Sequence, residues 1–141
     1  MADAVPFEAL TSSDLIVDQV YSGGSRGNAG DDPISKLVPG VGNQGGFRQA
    51  GRLASGTVRA LVLYTSGNEV DWPDYLDPVT GDFTYYGDNR SPGRDLHDTR
   101  RKGNSLLRWM FNAARSGPEE RVQIPPTFLF ERVGSTRAVM F

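Results

Sequence analysis

The chain contains no cysteine. Disulfides and thiolate metal centres are therefore excluded, and an intracellular, cytoplasmic setting fits better than a secreted one, where small domains lean on disulfides. Its one histidine, His97, removes most catalytic-triad and zinc arrangements and acquires no role of its own. No apolar run approaches the ~20 residues that a membrane-spanning helix needs, and residues 1–6 lack the basic start and apolar stretch of a signal peptide. Lysine is nearly absent too: of 15 cationic side chains only Lys36 and Lys102 are lysines, and the remainder are arginines. Arginine suits bidentate phosphate and base contacts, although a genome rich in G and C produces the same bias. The net charge of -2 by itself points to no nucleic-acid partner.

What is abundant is glycine, 17 of 141 residues, with ten of them between positions 23 and 56. A chain of this length holds one domain with a modest core. The charges are segregated. Between Arg59 and Arg90 there is no cation, while Glu69, Asp71, Asp74, Asp77, Asp82 and Asp88 all fall there. Arg90, Arg94, Arg100, Arg101 and Lys102 follow at once, and Arg48 and Arg52 form a smaller basic group upstream. Most of the aspartates read as turn formers, in Asp77-Pro78, Thr80-Gly81-Asp82 and Asp88-Asn89, with side chains capping their own backbone.

Residues 14–21 are rich in β-branched side chains and predict a strand. A long glycine-rich connection over 23–56 follows, with a short ordered piece near Ile34 to Val38 and Phe47 as an anchor. Loops of that length inside a compact domain usually carry function. Residues 57–64 predict a buried strand and 83–86 a short one opened by the turn at Thr80-Gly81-Asp82. One helix is expected over about 104–116, capped by Asn104, with Leu106, Leu107, Met110, Phe111 and Ala114 as its apolar stripe and Gly117-Pro118 as its stop. Two β-rich pieces, 127–133 and 137–141, close the chain. The fold class is α+β: a curved sheet or open barrel with one helix packed at its side.

Catalysis finds little support. Gly42-Asn43-Gln44-Gly45-Gly46 lacks the lysine and strand-to-helix setting of a phosphate loop, and the carboxylates have no lysine or histidine poised to activate a nucleophile. What stands out is Trp72, Tyr75, Tyr85 and Tyr86 within fifteen positions of Asp71, Asp74 and Asp82. Two rings and a carboxylate suit a flat, hydrogen-bonding ligand such as a nucleobase, stacked on both faces and read at an exocyclic amine. Aromatics on short strands also serve as ordinary core.

Gly67-Asn68-Glu69-Val70-Asp71, then Gly81-Asp82-Phe83-Thr84-Tyr85-Tyr86-Gly87, then Gly93-Arg94-Asp95-Leu96 and Gly103-Asn104-Ser105-Leu106-Leu107 resemble, in order and spacing, the SRA (SET and RING-associated) domain. The longer loops after Asp71 and before Gly93 are similar to the SRA-like N-terminal domains of modification-dependent restriction enzymes of the AspBHI and MspJI type. The resemblance implies a domain without a cofactor that binds double-stranded DNA containing 5-methylcytosine or 5-hydroxymethylcytosine and flips the modified base into a pocket. It also implies a bacterial restriction system and a nuclease domain C-terminal to this one in a longer parent chain, consistent with an abrupt end at Phe141.

In that resemblance Tyr85 matches the stacking tyrosine and Asp71 the cytosine-reading aspartate, with Asp74 as a rival. The family's second stacking tyrosine falls at Asn68, so Trp72 is its substitute, with Tyr86 beside the pocket. Arg94, Arg100, Arg101, Lys102, Arg48 and Arg52 are assigned to phosphates, and Gln44 or Phe47 to filling the gap left in the base stack. The alternatives are a modified-base reader of the EVE and YTH type, or a protein-interaction domain whose aromatic loop is a hot spot.

Overall fold

The computed structural model describes residues 3–43, 45–52, 58–65, 74–85, 103–134 and 137–140. They divide between two units, Met1–Ser66 with Thr127–Phe141, and Gly67–Pro126. The first unit contains β1 (Val20–Ser22), α1 (Ile34–Leu37), β2 (Phe47–Ala50) and β3 (Ala60–Thr65). The second contains β4 (Tyr75–Leu76), β5 (Phe83–Thr84), α2 (Gly103–Arg115) and α3 (Pro118–Arg121), and the chain then returns to the first through β6 (Thr127–Val133) and β7 (Arg137–Met140).

The five strands of the first unit form one open sheet in the order β1-β7-β6-β3-β2. Every pairing is antiparallel except β3 with β6, where Leu61 lies opposite Thr127 and Thr65 opposite Glu131. A parallel pair cannot be closed by a tight turn and needs a crossover of a dozen residues or more. Here that crossover is the whole second unit. β3 is the central strand, and Leu61, Val62 and Leu63 are all buried, as the unbroken apolar run of a strand covered on both faces requires.

Alternation along the strands sets Val62, Phe130, Ala138, Met140 and Tyr21 on one face, where they pack with Leu10 from a 3-10 turn (Phe7–Ser12) and with Ile34, Leu37, Val38 and Val41 from α1 and its exit. The Tyr21 and Phe130 rings meet edge to face at 6.5 Å. Part of the glycine-rich stretch, residues 31–41 and β2 above all, thus contributes to the core, with α1 where the ordered piece was expected.

The α+β assignment holds, with open sheets and, among the described residues, no closed barrel. β6 has the bounds expected from the sequence, and α2 is displaced by one residue at each end. Its inner side differs in part from the expected stripe. Leu106 and Ala113 are buried, with Leu107, Trp109 and Met110 partly so, whereas Phe111 and Ala114 are exposed; Leu106, Leu107 and Met110 thus lie inward as expected, and Ala113 takes the place given to Ala114.

The strand expected over 14–21 is reduced to Val20–Ser22. The buried Tyr21 hydroxyl donates to the Asp14 carbonyl at 2.7 Å and accepts from the Ile16 amide at 2.9 Å, and Asp18 takes a left-handed φ of 66°. Residues 14–16 therefore wrap around a phenol, and of the rest only Asp18 and Gln19 reach β7, through backbone bonds to Met140 at 2.8 and 3.4 Å. Among the described residues no helix is long and apolar enough to cross a membrane.

Candidate nucleic-acid interface

In the second unit β4 and β5 form an antiparallel hairpin with Tyr75 opposite Thr84 and Leu76 opposite Phe83. Its turn is built chiefly by the Asp77 side chain, with the Thr80 hydroxyl accepting from the Asp82 amide at 3.2 Å. The Asp77 carboxylate accepts from the amides of Val79 at 2.8 Å and Thr80 at 3.2 Å, while Gly81 follows with a φ of 79°, a left-handed conformation that glycine adopts without strain. The Asp77 and Asp82 backbones close the ladder at 2.8 Å. Those two amides hold the Asp77 carboxyl below its usual pKa. Asp77 and the Thr80-Gly81-Asp82 segment are thus the turn formers that their sequence indicated.

At the open end of the hairpin the register, continued by one residue, sets Asp74 opposite Tyr85. Period-two alternation then puts Asp74, Leu76, Phe83 and Tyr85 on one face, all partly buried, and the exposed Tyr75 and Thr84 on the other. The Tyr85 ring stacks on Phe83 at 6.2 Å between centroids and 24° between planes. A carboxylate and a supported aromatic ring therefore share one face of a short, twisted ribbon. The i, i+2 spacing in Phe83-Thr84-Tyr85 is the sequence signal for that ring contact. Asp71, Trp72, Tyr86, Arg94, Arg100, Arg101, Lys102 and Gln44 lie outside the described residues, as do Asp88-Asn89 and His97.

In the first unit two expectations are corrected. Phe47, a candidate for entering the base stack, is 3% exposed on β2 opposite Leu63, so its ring is committed to the interior. Arg48, assigned to phosphate contact, is 4% exposed. Its Nη1 lies 2.7 Å from Asp32 Oδ2, Nε donates to the Gly45 carbonyl at 2.8 Å, and the guanidinium stands 5.2 Å over the Tyr64 ring. A guanidinium so enclosed by protein acceptors has little left for a phosphate. Burial pushes the Tyr64 phenol above its ordinary pKa; Asp32 adds to the rise, while Arg132 and Arg48 oppose it. Arg52, two residues beyond β2, is exposed.

A second carboxylate organises the loop before α1. Asp31 is buried, and its oxygens accept from the amides of Arg26 at 3.0 Å, Gly27 at 2.6 Å and Asn28 at 3.3 Å. These bonds, the one from Arg26 foremost, hold its pKa below the usual 3.8 against the opposing effect of burial. A Cβ on Gly24 would collide with the Asp31 carboxylate. Among the described residues no group of three or more histidines and carboxylates gathers in a way that could hold a metal ion.

This architecture has relatives of known structure. The DNA recognition domain of the cytosine modification-dependent restriction endonuclease LpnPI superposes with a TM-score of 0.89 at 43% identity, over 99% of this chain and 63% of that one. The DNA modification-dependent restriction endonuclease AspBHI superposes at 0.86, also with 43% identity, over 98% of this chain and 63% of its own. The chain therefore spans somewhat under two thirds of each relative. No curated protein matches it. A sequence profile described as "Restriction endonuclease AspBHI N-terminal" matches residues 15–141, and the chain belongs to that family.

Proposed function

We propose that this domain is the DNA-reading module of a modification-dependent restriction endonuclease and that the duplex it recognises contains 5-methylcytosine or 5-hydroxymethylcytosine. The observation that carries the reading is the 43% identity, over nearly the whole chain, to the DNA recognition domain of LpnPI. The modified base leaves the duplex and stacks on Tyr85, whose ring is backed by Phe83. A carboxylate then accepts from the exocyclic amine of cytosine.

Asp71 is the aspartate assigned by the sequence motif, and Asp74 is its rival, supported by a β4–β5 register that, continued one residue past Tyr75↔Thr84, sets it opposite Tyr85. Trp72 and Tyr86 complete the aromatic walls. Arg52, Arg94, Arg100, Arg101 and Lys102 follow the phosphates, and Gln44 fills the place that the base vacates. The domain itself performs no chemistry. Cleavage belongs to a nuclease domain of the parent protein, acting in the bacterial cytoplasm.

The test is binding to matched fully methylated, hemimethylated and unmodified duplexes, with 2-aminopurine beside the target base to report flipping. Tight binding to modified duplex with a rise in fluorescence is expected, and Tyr85→Ala is expected to remove the preference. Asp71→Ala and Asp74→Ala, compared side by side, identify the reading carboxylate as the one whose loss equalises modified and plain DNA. Equal binding of modified and plain duplex by the wild-type protein overturns the reading.

A further inference from the structure

The basic group that sequence alone assigns to phosphates contains one arginine with a different occupation. Arg48 reaches back from β2 and bonds two carbonyls of the preceding loop, Gly45 at 2.8 Å through Nε and Gly42 at 3.1 Å through Nη1. Carbonyls three residues apart are ordinarily tied by the backbone of a turn. Here a planar guanidinium from outside ties them, and only Asn43 and Gln44 lie between.

The clamp is itself anchored. Asp32 Oδ2 receives Arg48 Nη1 at 2.7 Å and the Ser35 amide at 2.9 Å, which connects it to the first turn of α1. The Asn43 side chain donates to the Ala29 carbonyl at 3.2 Å, and the Gly46 carbonyl accepts from the Tyr64 amide at 2.7 Å. A Cβ on Gly46 would come within 2.7 Å of the Tyr64 carbonyl oxygen, so that close approach requires glycine.

A buried ion pair is a weak source of net stability but a strong source of fixed geometry. Only arginine offers the fork that spans two acceptors while keeping its charge. This investment sits under the loop that carries the proposed stack-filling residue. We infer that Arg48 is a positioning residue for DNA recognition: it fixes the Gly42 and Gly45 carbonyls against each other and against Asp32, so that the loop they belong to meets the duplex already formed, and it makes no phosphate contact itself. This rests on the modified-DNA reading above.

Arg48→Lys keeps the charge beside Asp32 but cannot span both carbonyls. In the free protein, amide exchange at 42–46 is expected to quicken by about five- to tenfold, the factor a lost hydrogen bond is worth, while β3 amides stay unchanged. Binding to methylated duplex is expected to weaken by about the factor that Gln44→Ala produces, with no further loss when the two changes are combined. The slope of log K against log salt is expected to stay at its wild-type value.

Gly45→Ala provides the second variant. It leaves the ion pair in place but forces a side chain into a φ of 81°, and it is expected to reproduce the binding loss with an intact core. Additive losses, or a slope reduced by about 0.9 for one lost phosphate contact, overturn the inference, as does unchanged exchange at 42–46. A wild-type protein that binds no duplex overturns the DNA reading and the positioning role together. Wild-type binding with unmoved loop exchange overturns the positioning role alone.

Discussion

The turn at 77–82 and the loop at 42–46 solve the same problem in opposite ways. In the first, Asp77 bonds amides two and three residues ahead of itself, so the motif is complete within six residues of chain. In the second, the backbone is held by a cation on β2, a carboxylate before α1 and an amide from β3. A self-capped turn survives the loss of its surroundings. A loop held from outside is as good as the sheet and the ion pair that hold it. The hairpin turn is thus specified by its own residues, while the glycine-rich loop depends on the sheet that carries Arg48 and Tyr64.

Breaking the remote clamp should have the largest effect. Arg48→Met leaves the largely enclosed Asp32 carboxylate with only the Ser35 amide as partner, and removing one member of a buried pair costs about 3–5 kcal/mol. Thermal unfolding followed by circular dichroism should show a melting temperature lower by roughly 10 °C for a domain of this size. The hairpin, tied by its own aspartate, should keep its local exchange protection until the global transition.

An intermediate effect is expected from Asp31, whose carboxylate gathers three nearby amides. Its pKa in the folded protein lies below the usual 3.8. The stabilisation is therefore fully present above that value and is lost as pH falls through the lowered folded pKa. Asp31→Asn should lower the melting temperature at pH 7, and the gap between variant and wild type should close as the pH is brought below the ordinary carboxylate range. A gap that stays constant across pH 2–7 would mean that the charge on Asp31 is not what holds the loop.

The smallest effect belongs to the self-contained turn. Asp77→Ala should speed amide exchange at Val79 and Thr80 while leaving the melting temperature and the exchange of β3 unchanged. Slowed or unmoved exchange at those two amides would show that the hairpin ladder, and not the Asp77 side chain, sets the turn.

Legibility followed the same division. β6, β3, α2 and the Asp77 turn were readable because each is specified by neighbours in the chain: an alternating or unbroken apolar run, a 3.6-residue period, a carboxylate beside the amides it caps. The expected strand over 14–21 failed because its apolar residues are β-formers by composition, while the buried Tyr21 hydroxyl claims the Asp14 carbonyl and the Ile16 amide. The stripe of α2 was displaced at its last position because several apolar residues compete along that helix, and packing alone selects Ala113 over Ala114. The motif around Tyr85 marks that residue in the sequence as a candidate for base stacking, whereas the stacking of its ring on Phe83 emerges only from the folded hairpin.

Sequence by itself determined the class of fold, the segregation of acidic and basic segments, the turn residues and the likeness to a modified-cytosine reader. These are properties of composition and of short-range order. Only the tertiary structure decided that Phe47 faces inward, that the Tyr85 ring stacks on Phe83, and that Arg48 is enclosed by Asp32, Gly42, Gly45 and Tyr64 rather than offered to solvent. An arginine has the same charge and reach in either role. Whether it meets a phosphate or a buried carboxylate depends on what the fold brings within 3 Å of its nitrogens, and Asp32 stands sixteen residues away in the chain.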